Sequence, residues 1–532
     1  MSVTTLLTFL LITGLVGIVS WYLTRKEKSN TISGFYFANR NLGFVAVGCS
    51  LLFSNINTVS FVGENELVYS NNMSVMAWGM SSVVAMLIVA EFIMPIYLRM
   101  GISTTPDYLE KRYDASTKRI VTLLFLANYI VNLLPSILYG GAVAFNGIFR
   151  FSEVYNIGYW PSLWLLIWAM GSVGGIYCLL GGLKAIAISD ILLGAAMFTG
   201  GLLLPWFGLK YLGNGSIHEG LQVVLSTKTE HLNSIGGKAD AVPFSTIFTG
   251  MLLVNLYYWG TEQYIVQQVL SSRNLQECQK GIALACTGKI ISPLLLNIPG
   301  LIAVHLFDKL SHPVEAFPRM VQMVASPAFA GFITALMFGA TFACFNAGLN
   351  SSSTLFVLNI YKPFLEKSGK LRDEKQLLRV GKKFEFLVCL LAMLIAPFIF
   401  LVKNGLYNYL QMIGGLFSVP VFTIILVGFL TRQVPPLAAK IGLCFFMIAY
   451  GLSQTIINTG LHFLHVLSLL FVLTCLLMLL IGKIYPQPIP YEPRLHRNIE
   501  LSPWKNRRIY FSVLILCVIA SFSLFSKLGL AG

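Results

Sequence analysis

The sequence predicts an all-α integral membrane protein with about fourteen transmembrane helices. Hydrophobic residues fill 56% of its 532 positions, charged residues fill 11%, and the mean hydropathy is +0.74, which excludes an ordinary soluble domain. One crossing of the hydrocarbon core takes roughly 20 predominantly apolar residues, and runs of that length recur along the chain. No Pro- or Ser-rich linker separates them, so we expect residues 1–532 to form a single membrane domain.

The apolar runs follow one another from the amino terminus. The first run, Leu6–Leu23, precedes its basic residues and has no small-residue cleavage site after it, which is the reverse of a secretory signal. We therefore expect it to remain as an anchoring helix. The later runs are Leu42–Tyr69, Val75–Tyr97, Ile120–Phe149, Trp160–Leu183, Ala185–Leu212, Thr246–Leu270, Gly281–Phe307, Phe329–Tyr361, Phe384–Val402, Tyr407–Leu430, Leu437–Ile457, Leu464–Tyr485 and Tyr510–Phe525.

The formal net charge of +15 raises the question of a nucleic-acid partner. If the amino terminus lies outside, however, alternate loops on the inner side hold most of the 37 lysine and arginine residues. That asymmetry is the positive-inside pattern of a protein in a bacterial cytoplasmic membrane. We attribute the charge to orientation and to contact with anionic lipids, and we expect no nucleic-acid partner.

The segment Cys49–Gly63, CSLLFSNINTVSFVG, carries polar side chains at membrane depth. Its serine, asparagine and threonine residues can hydrogen-bond the backbone groups that a helix break leaves unpaired. A polar seam between two packed helices would use the same residue types. Because Glu64 and Glu66 follow on the same segment, the pattern favours a discontinuous helix at a binding site.

Lys289 is the clearest charge inside an apolar run. It lies nine residues after Lys280, roughly 13 Å along a helix, which places it near the middle of a hydrocarbon core about 30 Å thick. A charge there costs at least about 2.5–3.5 kcal/mol, so it needs a partner or a water-filled cavity. Two interpretations remain: a structural ion pair, or a donor in a solute pathway lined by the aromatic and amide residues of Asn255–Gln263.

Asp190 is a second charge within an apolar run, six residues after Lys184. It either pairs with that lysine or serves as a way-station for a cation on the cytoplasmic side. The sequence contains no Walker loop, HExxH motif or nucleophile elbow, so we expect neither ATP hydrolysis nor an enzyme. A charged ring or filter-like loop, which would indicate a channel, is also missing from the sequence.

Seven segments, taken in order, resemble the sodium/solute symporter family, and most closely its bacterial sodium/galactose (sodium/glucose) cotransporter branch. Each segment is a weak signal alone, whereas the ordered set spans most of the chain. The segments are CSLLFSNINTVSFVG, GISTTPDYLEKRY (Gly101–Tyr113), GGLKAIAISD (Gly181–Asp190), NLYYWGTEQYIVQQVL (Asn255–Leu270), QKGIALACTGKIISPLLLNIPG (Gln279–Gly300), LNSSSTLFVLNIYK (Leu349–Lys362) and YLQMIGGLFSVP (Tyr409–Pro420).

The resemblance implies two inverted five-helix repeats with discontinuous helices, at residues 41–212 and 243–431. A leading peripheral helix at 6–23 and trailing peripheral helices at 436–528 would lie outside the repeats. In such folds solute and cation bind at the membrane midplane beside the broken helices, and the repeats rock to give alternating access.

The resemblance also implies which residues contact the solute, with Tyr258 as the inner aromatic gate. Carried over position by position, they are Asn55, Asn255, Tyr258, Lys289 and Gln411. Two positions depart from the family pattern, because Ser60 replaces a glutamine and Gly79 replaces a glutamate. We therefore expect a sugar-like solute other than galactose, with Ser60 in its site and Glu64 as a replacement carboxylate. Solvation of an outer vestibule is the alternative role for Glu64.

The family's sodium site uses three backbone carbonyls and two adjacent serine hydroxyls. The carbonyl positions fall at Phe53, Ile56 and Ala340, and the serine positions hold Ala343 and Cys344. Sodium prefers oxygen ligands, and a neutral thiol is a poor substitute. Three possibilities therefore remain besides the family's sodium site: sodium bound in a displaced site near Asn346 and Asp190, coupling to protons, or no coupling ion.

Taken together, the sequence leads us to expect a secondary active symporter that imports a sugar or sugar-like solute, with sodium as the coupling ion that the resemblance implies. We expect no other cofactor and no obligatory protein partner. A proton-coupled or uncoupled carrier is one alternative. A transporter-derived solute sensor is the other, although the chain shows no soluble signalling domain.

Overall fold

The computed structural model describes residues 3–24, 31–180, 183–369, 373–401, 406–457, 459–493 and 501–532, without the side chains of residues 20–21, 23–24, 177–180, 183–190 and 195. These residues form helices and loops, and no β-strand occurs among them. The helices of six or more residues are α1 (Val3–Thr24), α2 (Ile32–Phe37), α3 (Phe44–Asn55), α4 (Thr58–Ser70), α5 (Met73–Met100), α6 (Thr105–Arg112), α7 (Ala115–Phe149), α8 (Tyr159–Leu180), α9 (Leu183–Leu212), α10 (Ile217–Ser226), α11 (Gly250–Gly260), α12 (Gln263–Leu270), α13 (Leu275–Leu306), α14 (Ala316–Val324), α15 (Pro327–Lys367), α16 (Glu374–Leu401), α17 (Leu406–Leu430), α18 (Pro436–Thr455), α19 (Phe463–Ile484) and α20 (Arg507–Leu524).

Ten of these helices are long and apolar enough to cross a membrane within the described residues, and the bent pair α3/α4 makes eleven. The predicted count of about fourteen is reached when α1, α8 and the interrupted pair α11/α12 also cross. The pair α11/α12 is not a continuous span, because α11 has 11 residues and α12 has 8.

The break between α3 and α4 lies where the polar segment of the sequence predicted it. The two helices meet at an angle of 51°, and Ile56 between them has a non-helical backbone (φ −79°, ψ 85°). Asn57 caps α4, because its side-chain oxygen accepts hydrogen bonds from the backbone N–H groups of Val59 (2.9 Å) and Ser60 (3.2 Å). A capping asparagine thus satisfies donors that the interruption would leave unpaired.

A second break separates α11 from α12 at Thr261 and Glu262. The Glu262 carboxylate is buried and accepts hydrogen bonds from the hydroxyls of Tyr129 (2.5 Å) and Tyr257 (2.8 Å) and from the backbone N–H of Gln263 (3.1 Å). Three donors on one buried carboxylate compensate its transfer out of water. The break is therefore held by a side chain from its own loop.

The two broken pairs occupy equivalent places in the chain. Five spanning units run from α3/α4 to α9, five more run from α11/α12 to α17, and each group opens on a broken pair. The predicted repeat boundaries, 41–212 and 243–431, enclose these groups and stay predictions. Outside these groups lie α1 on one side and α18, α19 and α20 on the other; the predicted peripheral segments 6–23 and 436–528 stay predictions as well.

Close packing of α3 against α13 places the midplane lysine beside the first break. A Cβ atom added at Gly48 would lie 2.8 Å from the carbonyl oxygen of Gly281, and one at Gly288 would lie 2.3 Å from a methyl carbon of Leu52. Neither distance leaves room for a side chain. Small residues at these contacts let the two helix backbones approach, and Lys289 follows directly on α13.

Arg112 at the end of α6 fixes the carboxyl end of α17. Its guanidinium is buried and donates hydrogen bonds to the carbonyl oxygens of Gly428 (3.0 Å), Thr431 (3.0 Å) and Val434 (3.2 Å). Gly428 is in the last turn of α17, where carbonyl groups have no partner within the helix, and Thr431 and Val434 follow the end of that helix. A cation at a helix carboxyl end is also favoured by the helix dipole.

Replacing Arg112 with methionine keeps the length of the side chain and removes all three donors. We expect the variant to lose about 2 kcal/mol or more of its free energy of unfolding, because hydrogen bonds to a charged group contribute about 1.5–3 kcal/mol each and the buried carbonyls are left unsatisfied. Thermal denaturation in detergent, followed by tryptophan fluorescence, measures the change. Arg379, which is exposed on α16, gives the matched control Arg379→Met; equal melting of both variants would contradict the assigned role.

Candidate solute and cation site

A cavity of about 100 Å³ lies between the two broken helix pairs. Its wall includes six of the residues predicted to contact a solute, and these come from four separate parts of the chain. They are Asn55, Ser60, Asn255, Tyr258, Lys289 and Gln411. The volume holds several water molecules, and it is smaller than the roughly 300–1,000 Å³ of pockets that bind drug-sized ligands. The cavity thus matches a small molecule.

Lys289 brings a positive charge to this cavity. Its side chain is 5% exposed and interacts electrostatically with the carboxylate of Glu64, yet no direct ion pair between them occurs among the described contacts. The ammonium group therefore faces the cavity with hydrogen-bonding capacity to spare. Of the two interpretations left by the sequence, this geometry favours a donor in a solute pathway over a closed structural ion pair.

Glu64 lies behind Lys289 and does not line the cavity. It sits on α4, is 5% exposed, and accepts a hydrogen bond from the side-chain amide of Asn297 (3.2 Å), where α13 is interrupted. Glu64 is therefore a buried acid close enough to Lys289 to interact with it electrostatically.

The amide groups of the cavity are only partly engaged by the protein. Asn255 donates through its side-chain nitrogen to the hydroxyl of Ser81 (2.9 Å), while the side-chain oxygen of Asn55 has no hydrogen-bond partner within the described residues. A buried polar atom without a partner is uncommon in folded proteins. The side chain of Asn55 lines the cavity, and its oxygen keeps an unused capacity to accept a hydrogen bond.

Aromatic side chains form another part of the wall. The hydroxyls of Tyr258 and Tyr264 are hydrogen-bonded to each other, and the ring of Trp78 packs edge-on against Tyr407, with centroids 6.1 Å apart. Sequence reasoning missed Trp78, Tyr264 and Tyr407 as site residues. For Tyr407 a signal existed, since it precedes Gln411 by four residues and so shares a helix face with it.

The predicted cation positions also come together at the first break. Phe53 and Ile56 are buried at the carboxyl end of α3, and Thr58 ties the start of α4 to α15 by donating its hydroxyl to the carbonyl oxygen of Met337 (3.0 Å). Ala340, on α15, is buried next to this contact. This contact joins the first break to α15, and a cation site at Phe53, Ile56 and Ala340 stays a prediction.

The two positions where the family's sodium site has serine hydroxyls carry no side-chain oxygen in this chain. Ala343 and Cys344 are buried on α15, and the side-chain amide of Asn57 donates to the sulfur of Cys344 (3.3 Å). A methyl group and a thiol supply no hard oxygen ligand. Asn57, which sequence reasoning left out of the site, both caps α4 and contacts Cys344. The side chain of Asp190 lies outside the described residues, so its role as a cation way-station stays a prediction.

Comparison with known sequences points to one family. The family described as "Sodium:solute symporter family" matches residues 35–444. A relative from Escherichia coli K12, named as the uncharacterized symporter YidK, is 37% identical over 524 residues, which cover 98% of this chain and 91% of the relative. The sodium/glucose cotransporter of Vibrio parahaemolyticus is 26% identical over 80% of both chains, and the human sodium/myo-inositol cotransporter 2 is 25% identical over 84% of this chain and 68% of its own length.

Comparison with solved structures points to one fold. A sodium-coupled sialic acid symporter, in a substrate-bound outward-open state, superposes with a TM-score of 0.78 at 16% identity, covering 93% of this chain and all of the other. A nucleobase-cation-symport-1 family transporter in a closed conformation gives a TM-score of 0.57 at 14% identity, covering 91% of this chain and 99% of its own. These likenesses confirm the predicted fold class, an all-α membrane protein built of inverted repeats with discontinuous helices.

Proposed function

Because the chain belongs to the sodium:solute symporter family, we propose that it imports an uncharged, hydroxyl-rich solute of the sugar class by alternating access. Family membership makes it a secondary active symporter and a multi-pass membrane protein, and it confirms the resemblance read from the seven segments. The same relatives and structures are transporters and not enzymes, as the sequence predicted.

The cavity between the two broken helix pairs is the observation that carries the proposal. It combines a cationic donor (Lys289), amide groups (Asn55, Asn255, Gln411) and the aromatic ring of Tyr258. Amides and an ammonium group hydrogen-bond hydroxyls, and aromatic faces pack against the apolar face of a sugar ring. Glu64 interacts electrostatically with Lys289, and we infer that the two groups together present no net charge to a neutral solute.

The solute that we propose is sugar-like without being galactose. Two relatives are named for glucose and for myo-inositol, both of which are neutral molecules with several hydroxyls. In this chain Ser60 and Gly79 line the cavity where the family pattern has longer polar side chains. A Cβ atom at Gly79 would meet only the hydroxyl of Ser292, at 3.5 Å, so this part of the wall offers space and few hydrogen bonds.

For the driving ion we propose sodium, on the strength of the family, in a site at Phe53, Ile56 and Ala340. The lack of hydroxyls at Ala343 and Cys344 favours a second candidate, a carrier whose sodium dependence is weak and which uses protons or no ion. For the orientation we propose a bacterial cytoplasmic membrane with the amino terminus outside and the basic loops inside, because the lysine and arginine residues cluster in alternate loops.

A binding measurement tests the class of solute without depending on the driving ion. Purified carrier in detergent is heated with a panel of neutral monosaccharides and cyclic polyols, and with the matched sugar acids. We expect one or more neutral members to raise the midpoint of thermal denaturation in a saturable way, because a ligand that binds only the folded state stabilises it. Stabilisation by sugar acids alone would contradict the proposal.

The charge balance between Glu64 and Lys289 gives a further prediction. We expect Glu64→Gln to weaken binding of the neutral solute by about tenfold, which corresponds to about 1.4 kcal/mol, because the substitution leaves the charge of Lys289 uncompensated beside the cavity. It also retains the acceptor oxygen for Asn297. The dissociation constant, obtained by titrating the solute, measures the effect.

Glu66→Gln is the matched control for this prediction. Glu66 lies on the same helix and accepts a hydrogen bond from the backbone N–H of Leu406 (3.4 Å), but unlike Glu64 it has no described interaction with Lys289. Its amide variant should bind the solute as the unmodified protein does. If both variants bind normally, Glu64 has no part in the electrostatics of the site.

A further inference from the structure

A second and larger cavity lies between α20, α5 and the loop that precedes α11. Its volume is about 820 Å³, within the range of pockets that hold drug-sized ligands. Most of its lining is apolar, with side chains from each of the three walls. Representative residues are Val84 on α5, Phe244 and Ile247 from the loop, and Val518 and Phe522 on α20.

The walls of this groove are fixed by polar contacts at both ends of α20. At one end Arg507 forms an ion pair with Glu91 on α5 (2.8 Å). At the other end the loop residue Ser234 donates its backbone N–H to the carbonyl oxygen of Phe525 (2.6 Å) and its hydroxyl to that of Phe522 (3.3 Å). Between these contacts only Leu514 and Val518 of α20 are buried. The fold itself therefore maintains the gap between α20 and α5.

The groove opens toward hydrocarbon and ends at a polar rim. Three apolar residues around it are strongly exposed: Phe248 (74%), Ile519 (57%) and Leu528 (94%). In a membrane protein such side chains belong in lipid. The rim also holds Lys527 and Asp240, charges of opposite sign at the end of α20 away from Arg507.

We propose that this groove binds one phosphatidylethanolamine molecule of the outer leaflet, with an acyl chain along its apolar wall. An apolar gap beside a bilayer forfeits dispersion contacts, and an acyl chain restores them. The phosphate lies toward the Lys527 ammonium and the ethanolamine ammonium lies toward the Asp240 carboxylate. Each charge of the headgroup therefore faces a rim residue of opposite charge. The leaflet follows from the orientation proposed above, since Arg507 and the basic loops lie at the opposite end of α20.

The bound lipid would support a helix that the solute cavity also uses. Met80, Ser81 and Val84 face the groove, whereas Gly79 and Ser82 on the same helix face the solute cavity. The hydroxyl of Ser81 accepts the hydrogen bond from Asn255. A lipid in the groove therefore holds the position of a wall of the solute cavity without touching the solute, whichever solute that is.

Native mass spectrometry of the purified full-length carrier tests the lipid site independently of transport. The delipidated protein is titrated with a palmitoyl-oleoyl phosphatidylethanolamine, and we expect one molecule to bind saturably. Ser523→Trp, which fills the groove, should weaken that binding at least tenfold. Leu516→Trp is the matched control, because Leu516 is exposed on the same helix outside the groove lining, and it should bind like the unmodified protein. Ile247→Trp fills the groove from the loop if the first variant does not fold.

The other outcomes overturn the proposal. A graded series of lipid adducts that is the same in all variants would identify the lipid as part of the general annulus. Saturable binding of palmitate alone would replace the phospholipid by a free fatty acid.

The headgroup is tested separately. Lys527→Ala should weaken phosphatidylethanolamine binding severalfold, and equal binding of phosphatidylglycerol to the unmodified protein would contradict the assigned headgroup.

Discussion

Replacing Lys289 with alanine is expected to abolish solute uptake, with a loss of at least about 100-fold. The ammonium group is buried, faces the solute cavity and has no direct ion pair with Glu64 among the described contacts. Its removal takes away the charged hydrogen-bond donor of the site, and hydrogen bonds to charged groups contribute about 1.5–3 kcal/mol each; it also leaves the buried Glu64 without its nearby cation. Initial rates of labelled-solute uptake into proteoliposomes measure the effect.

The control for this prediction is Lys280→Ala on the same helix. Lys280 lies nearer the membrane surface, where its ammonium group is 3.6 Å from Glu277, and its loss should leave uptake near the level of the unmodified protein. Because Lys289→Ala also strains the fold, the double variant Lys289→Ala with Glu64→Ala restores charge balance. Full uptake by either Lys289 variant would remove this lysine from the solute site.

Introducing serines at Ala343 and Cys344 together is expected to create or strongly increase sodium dependence of uptake, by about tenfold under an imposed sodium gradient. The backbone at the α3 break already lies against α15 through the contact of Thr58 with Met337. Two hydroxyls would therefore add the oxygen ligands that a methyl and a thiol lack. Uptake at a range of sodium concentrations, with potassium as the replacement ion, measures the change.

Ala335→Ser is the control for the two serine substitutions. Ala335 is on the same helix but packs with Phe9 and Phe149, away from the break, and its variant should keep the sodium response of the unmodified protein. Should the double-serine variant respond no more than this control, the cation site is not at Ala343 and Cys344, and a displaced site such as the one expected near Asp190 becomes the better account.

The spanning helices were predictable from the sequence because a bilayer imposes one strong rule on composition and length. The rule weakens where a helix is interrupted. The break at Ile56 could be predicted, since Asn55, Asn57 and Thr58 interrupt an apolar run. The break at Thr261 and Glu262 could not, because the glutamate that stabilises it takes one of its hydroxyl donors, Tyr129, from a distant part of the chain, while the other, Tyr257, lies on the preceding helix.

The candidate site was predictable to the extent that its residues are conspicuous in a membrane. Lys289 and Glu64 stand out as charges at membrane depth, and the resemblance supplied the amide residues. Trp78 was missed because an aromatic residue in an apolar run is compatible with any buried position, and Tyr407 was missed although its spacing from Gln411 was a signal. Their contact joins α5 to α17, and a packing contact between distant segments leaves no local pattern in the sequence.

Uptake into proteoliposomes tests directly whether the protein is an ion-driven carrier of neutral, hydroxyl-rich solutes. The purified carrier is reconstituted and offered a panel of labelled neutral sugars and cyclic polyols under an inward sodium gradient, an inward proton gradient, or neither. We expect at least one neutral, hydroxyl-rich solute to accumulate above its external concentration under one of the ion gradients, and we expect Lys289→Ala to lose that accumulation. If no gradient drives uptake of a neutral solute and a charged solute is taken up instead, the proposed function is wrong.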